Sequence, residues 1–243
     1  MTKKPQKKWL ILTLYTIAIV AWAFVAVIGT EFFIGIIALL IFPNDIFDST
    51  LFSAIYEILS YSIALFLVIW VPPRVFKDKF KKSTRESLGL RGLPTWTDLG
   101  LAPIGYVVSI AIAIGLTALF TLLPWFNADE AQDLGYSLYM PGYERALAFV
   151  SLAVIAPIAE ELFFRGWLYG RLRVKIPKAV AILIVSLLFG IIHLQWNVGL
   201  SVFAMSVVTC ILREVTGTIY AGILVHMLNN GIAFFLVFVA GLQ

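Results

Sequence analysis

The chain has 243 residues, 61% of them apolar and 13% charged, with a mean hydropathy of +0.96. That balance excludes an ordinary soluble domain and points to an integral membrane protein. A formal charge of +4 would fit a nucleic-acid binder, but the basic residues cluster beside apolar runs and no aromatic–basic patch stands in a polar region. The charge therefore points to the lipid bilayer as the partner and not to nucleic acid.

A membrane-crossing helix needs about 20 apolar residues. Runs of that kind occur near 9–42, 51–71, 98–124, 146–173, 178–195, 198–215 and 218–240. They predict an all-α, polytopic transmembrane helical bundle of about seven spans. The first run follows Lys3, Lys4, Lys7 and Lys8 and is too long for a signal-peptide core, so it reads as an uncleaved anchor. Gly29-Thr30-Glu31 invites a split of this run into two spans, and loop charge decides against it.

Loops 43–50 and 126–144 carry Asp45, Asp48, Asp129, Glu130, Asp133 and Glu144 with no lysine or arginine. Segment 72–95 carries Arg74, Lys77, Lys79, Lys81, Lys82, Arg85 and Arg91. The 165–178 connection adds Arg165, Arg171, Arg173, Lys175 and Lys178. One long first helix, tilted or kinked at glycine, puts all these cations and Arg213 on the side of the N-terminal lysines, leaving only Arg145 opposite. Cytoplasmic loops are enriched in lysine and arginine, so the N-terminus is expected in the cytoplasm. Seven spans would then leave the C-terminus outside, and an extra re-entrant segment would reverse that end.

Loop 72–97, basic and punctuated by Pro72-Pro73, Gly89, Gly92 and Pro94, reads as a cytoplasmic membrane-surface segment held by anionic lipid. Residues 1–140 are thus expected to form N-terminal transmembrane helices bearing this loop, and 141–243 a helical core that holds the candidate catalytic residues. Cys210, the one cysteine, excludes an intrachain disulfide and reads as a small core residue.

Ionisable groups at membrane depth are costly and need a compensating role. In the fourth run Glu160 and Glu161 follow Pro157, which should kink the helix. Neighbouring side chains on a helix point about 100° apart. Glu161 is spaced i,i+4 to Arg165 for an ion pair, which frees Glu160 to face elsewhere. The alternative is that both glutamates belong to a structural ion network.

Glu160 and His193 lie almost equidistant from Pro177, so a turn near Ile176-Pro177 brings them to matching depth in an antiparallel hairpin. In the last run His226 and Asn230 are i,i+4 on one face, whereas Asn229 should point away. A lone buried histidine is ordinarily a packing residue. Here the only two histidines fall at depths compatible with Glu160, on separate helices.

A carboxylate withdrawn from bulk water is suited to take a proton from water and return it, and His193 can share that water. His226 and Asn230 carry N–H donors suited to an oxyanion. The expected site lies between the fourth, fifth and last helices and is competent for peptide hydrolysis by activated water.

At these residues the chain resembles the CAAX protease and bacteriocin-processing (CPBP, or Abi) family of glutamate-dependent intramembrane endopeptidases. Glu160-Glu161-Leu162-Phe163-Phe164-Arg165 matches EExxxR, Phe189-Gly190-Ile191-Ile192-His193 matches FxxxH, and His226-Met227-Leu228-Asn229-Asn230 matches HxxxN. The ordered set covers about residues 145–235. The resemblance implies Glu160 and His193 as activators of water, His226 and Asn230 as oxyanion support, and Glu161 and Arg165 as residues that shape the site. It also implies a peptide or membrane-protein substrate, no cofactor, and a multi-pass protein of a bacterial cell membrane engaged in peptide maturation, bacteriocin processing or self-immunity.

A metal-dependent protease is the alternative closest to this one, but no His-Glu-x-x-His helix is present, which favours a metal-free site. A non-catalytic bacteriocin-immunity protein or a proton-coupled transporter also needs intramembrane carboxylates. Transporters usually show inverted repeats or paired broken helices, and none is visible here.

Overall fold

A computed structural model of the chain describes residues 4–43, 46, 47, 49–75, 84–130, 136 and 140–241. Lipid cannot satisfy backbone N–H and C=O groups, so apolar runs of this length close their hydrogen bonds internally as helices. The described residues accordingly form helices and no strand. In chain order these are α1 (Lys4–Ile41), α2 (Thr50–Val75), α3 (Trp96–Phe120), α4 (Gly142–Leu172), α5 (Lys178–Ile191), α6 (Trp196–Thr216) and α7 (Tyr220–Val239).

The first run is one helix of 38 residues, unbroken at Gly29-Thr30-Glu31 as loop charge required. Thr30 sits inside this helix with its buried hydroxyl donating back to the Ala26 carbonyl at 2.5 Å. Among the described residues, six helices are long and apolar enough to cross a membrane. The expected fifth span, 178–195, is the exception. α5 has 14 residues and rises about 21 Å, short of a hydrocarbon layer about 30 Å thick.

The chain reverses straight after α5, where Leu194 adopts a left-handed φ of 58°. The reversal is tight because two glycines meet across it. A Cβ on Gly190 would lie 2.8 Å from the Gly199 carbonyl oxygen, and one on Gly199 would lie 3.0 Å from that of Gly190. α5 and α6 therefore pack backbone to backbone beside the turn that holds His193.

α4 and α6 are the most buried helices. Phe163, Phe164, Trp167, Leu168, Tyr169 and Leu172 of α4 are all buried in the core with Phe189, Met205 and Val225. α3 packs on α6 and α7, α1 on α2, and α2 on the first half of α4. The turn after α4 is pinned at Glu214, which accepts from Tyr169 at 3.1 Å and pairs with Arg173 at 2.5 Å and with Lys178.

The described part of the basic loop is strapped to the ends of α6 and α7. Leu88 is buried. Arg213 donates to the Ser87 carbonyl at 2.8 Å, Ile219 N–H to that of Gly89 at 3.0 Å, and the Tyr220 hydroxyl to that of Gly92 at 2.9 Å. Asp98 closes a capping box with Thr95 at the start of α3 and accepts from the Thr218 hydroxyl at 3.0 Å. Lys3, Asp45, Asp48, Asp133 and the loop cations Lys77, Lys79, Lys81 and Lys82 lie outside the described residues.

Candidate active site

Pro157 shapes the backbone of the site, though not as a sharp kink. The α4 backbone widens to i→i+5 turns over Ser151–Ile155 and again over Leu162–Tyr169. Ala156 N–H bonds Ser151 O in the first of these, and the next bond in the series would run from residue 157 to Leu152 O. Proline has no N–H to give. The freed Leu152 carbonyl instead accepts from Asn230 Nδ2 at 2.9 Å, which ties α7 to α4 at the depth of the site.

The two adjacent glutamates have different surroundings, as their angular separation predicts. Glu161 is fully buried and pairs with the equally buried Arg165 at 2.9 Å. The Arg165 guanidinium stacks 4.4 Å from the centre of the Phe189 ring. α7 approaches Glu161 so closely that a Cβ on Gly222 would lie 2.8 Å from Oε2. Glu160 points into a cavity of about 430 Å³, and its Oε1 accepts from the Tyr61 hydroxyl at 2.5 Å. The His226 ring bridges the two carboxylates, with Nδ1 3.4 Å from Glu161 Oε1 and Nε2 3.8 Å from Glu160 Oε2.

His193 belongs to the turn after α5, two residues beyond the end of the helix in which the sequence placed it. Its Nδ1 is 2.8 Å from the Phe189 carbonyl oxygen. A carbonyl only accepts, so Nδ1 carries the hydrogen, and the Nε2 of the neutral ring keeps its lone pair. The Phe189 ring stands edge-on to both imidazoles, at 5.1 Å from His193 and 5.7 Å from His226.

Glu160, His193, His226 and Asn230 all border this one cavity. Glu161 and Arg165 lie behind it. The expectation that Asn229 faces away is corrected: it also lines the cavity and donates to Asn230 Oδ1 at 3.2 Å. An amide about 100° around the helix still reaches the same space because the cavity extends past α7 toward Ser201 and Thr117. Asn197, at the start of α6, donates to the Ala128 and Glu130 carbonyls at 3.3 and 2.7 Å, and Ala128 and Asn197 both line the cavity.

Two site residues escape sequence reasoning, Glu57 and Tyr61 of α2, both on the cavity wall. A glutamate isolated in the apolar run 51–71 was the available signal. Glu57 accepts from the Ser151 hydroxyl and, at 3.3 Å, from that of Tyr136. Burial, and after it the Glu57 carboxylate, pushes the Tyr136 phenol up to about 12, so it remains a donor throughout the neutral range.

The arrangement offers a carboxylate, two imidazoles and amide donors around one cavity. No group of three or more His, Cys, Asp or Glu side chains among the described residues is placed to hold a metal ion.

Residues 142–232 match the family described as type II CAAX prenyl endopeptidase Rce1-like. In Bacillus subtilis (strain 168), the protein named "Putative membrane peptidase YdiL" is 24% identical over 176 residues, 72% of this chain and 68% of that protein. No solved structure matches the chain. The matched segment runs from the start of α4 into α7 and includes Glu160, His193, His226 and Asn230, but not Glu57 or Tyr61.

Proposed function

We propose that this chain, whose residues 142–232 match the type II CAAX prenyl endopeptidase Rce1-like family, is a glutamate-dependent intramembrane endopeptidase. Glu160 takes a proton from a cavity water that His193 Nε2 orients by accepting its second hydrogen. The hydroxide attacks the peptide carbonyl carbon, and charge moves to the carbonyl oxygen. Asn230 has one amide hydrogen on Leu152 and a second to offer that oxygen. His226 offers Nε2 to the same oxygen as a donor while its Nδ1 faces Glu161. Collapse breaks the C–N bond, and the proton held by Glu160 passes to the leaving amine.

The observation that carries this reading is the division of labour between neighbours. Arg165 occupies Glu161, so Glu160 reaches the cavity with no guanidinium among the described residues to neutralise it. The substrate is a peptide or membrane-protein segment entering from the bilayer. Peptide maturation, bacteriocin processing and self-immunity are the roles this chemistry serves, in a bacterial cell membrane with the N-terminus in the cytoplasm.

The test uses purified protein in liposomes with two internally quenched peptides, one with a prenylated CAAX end and one without lipid. Wild type is expected to cleave, also after exhaustive chelation, and Glu160→Gln to lose cleavage while keeping its thermal unfolding. Equal rates from the two proteins would refute the reading.

A further inference from the structure

We propose that Tyr61, which lies on α2 outside the family-matched segment, is the positioning residue of Glu160. The inference rests on Glu160 being the group that activates water. Its hydroxyl is 2.5 Å from Glu160 Oε1, the separation of a charge-assisted O–H···O bond. Among the described residues Glu160 has no Lys or Arg partner like the one that fixes Glu161, and its Oε2 is 3.8 Å from His226 Nε2. Tyr61 therefore anchors one oxygen and leaves the other facing the cavity, which fixes where the proton is taken up.

α2 makes a second attachment one turn away. Glu57, at i−4 from Tyr61, holds the hydroxyl of Ser151, the first residue of the widened turn in α4. The next residue, Leu152, holds Asn230. One face of α2 thus sets Glu160 directly and the Asn230 anchor through one residue. A reactive geometry is sensitive to errors of about 1 Å, and an unattached glutamate on the short α-helical stretch between the two widened turns would explore more than that.

The test is Tyr61→Phe, which removes one oxygen atom and keeps the ring, assayed on both quenched peptides in liposomes. Loss of a hydrogen bond to a charged group predicts a kcat lower by about 10- to 100-fold, with KM and thermal unfolding unchanged. In a Glu160→Asp background, where the shortened side chain falls out of reach of the hydroxyl, the same change is expected to cost nothing more. Full kcat in Tyr61→Phe, or an equal loss in both backgrounds, would overturn the proposal.

An infrared measurement needs no substrate. The carboxyl band identified by its disappearance in Glu160→Gln is expected to move in Tyr61→Phe, and an unmoved band overturns the proposal even if neither peptide is cut. Failure of the catalytic reading looks different, because there Glu160→Gln itself would remain active.

Discussion

Glu160 and Glu161 are consecutive in sequence yet differ in what each does. Glu161 and Arg165 are both fully buried and 2.9 Å apart, so removing either leaves a charge without its partner in a water-poor interior. Glu161→Ala and Arg165→Ala are each expected to destabilise by about 3–5 kcal/mol, read as lower folded yield and an earlier melt in detergent. A double change to Glu161→Gln and Arg165→Met should recover part of that loss, because no lone charge remains. A double variant no better than the singles would count against the pair as the source of the cost. This pair was legible in the sequence because i,i+4 spacing is local. Tyr61 was not, since its bond to Glu160 spans 99 residues, and a tyrosine in an apolar run carries no sign of what it will meet.

At the level of elements, α5 shows where apolar composition misleads. The run 178–195 contains no charge after Lys178, so hydropathy continues through the point where the helix stops. What ends α5 is a backbone contact, the close approach of Gly190 to Gly199 followed by the left-handed Leu194. Neither feature has a hydropathy signature. Pro157 was legible as a disturbance, but its outcome depended on α7, because Asn230 supplies the donor that proline lacks and the helix widens without breaking.

Gly190→Ala tests the α5–α6 contact. A methyl group 2.8 Å from a carbonyl oxygen must push α5 and α6 apart, at a cost of about 1–3 kcal/mol. His193 is three residues away, at the mouth of the displaced turn. Peptide cleavage is expected to fall more than stability does, with Gly190→Ser equally impaired. A fully active Gly190→Ala enzyme would mean that His193 does not depend on this crossing.

Over the whole molecule, hydropathy and charge carried the all-helical, multi-pass architecture, while the docking of the basic loop was invisible to both. Arg213 lies in an apolar helix yet is buried, donating to Gly166 O at 3.1 Å and to Ser87 O at 2.8 Å. It couples the segment containing Ser87 to the same α4 that holds Glu160. Gly170 leaves room for this, since a Cβ there would lie 2.9 Å from Arg213 Nη2.

Arg213→Ala would leave both carbonyls without that donor, and each lost partner costs about 1–3 kcal/mol when the group stays buried. The strap should then detach from the α6–α7 end while the cavity wall, built from other residues, keeps its shape. The expected result is faster tryptic cleavage at Arg85 and Arg91, a lower melting temperature and a retained cleavage rate at temperatures where the variant is folded. Unchanged trypsin resistance would show that the bonds from Ile219 and Tyr220 hold the strap without Arg213. Loss of activity in protein that is still folded would instead place the strap in the catalytic unit, with α4 as the element connecting the two.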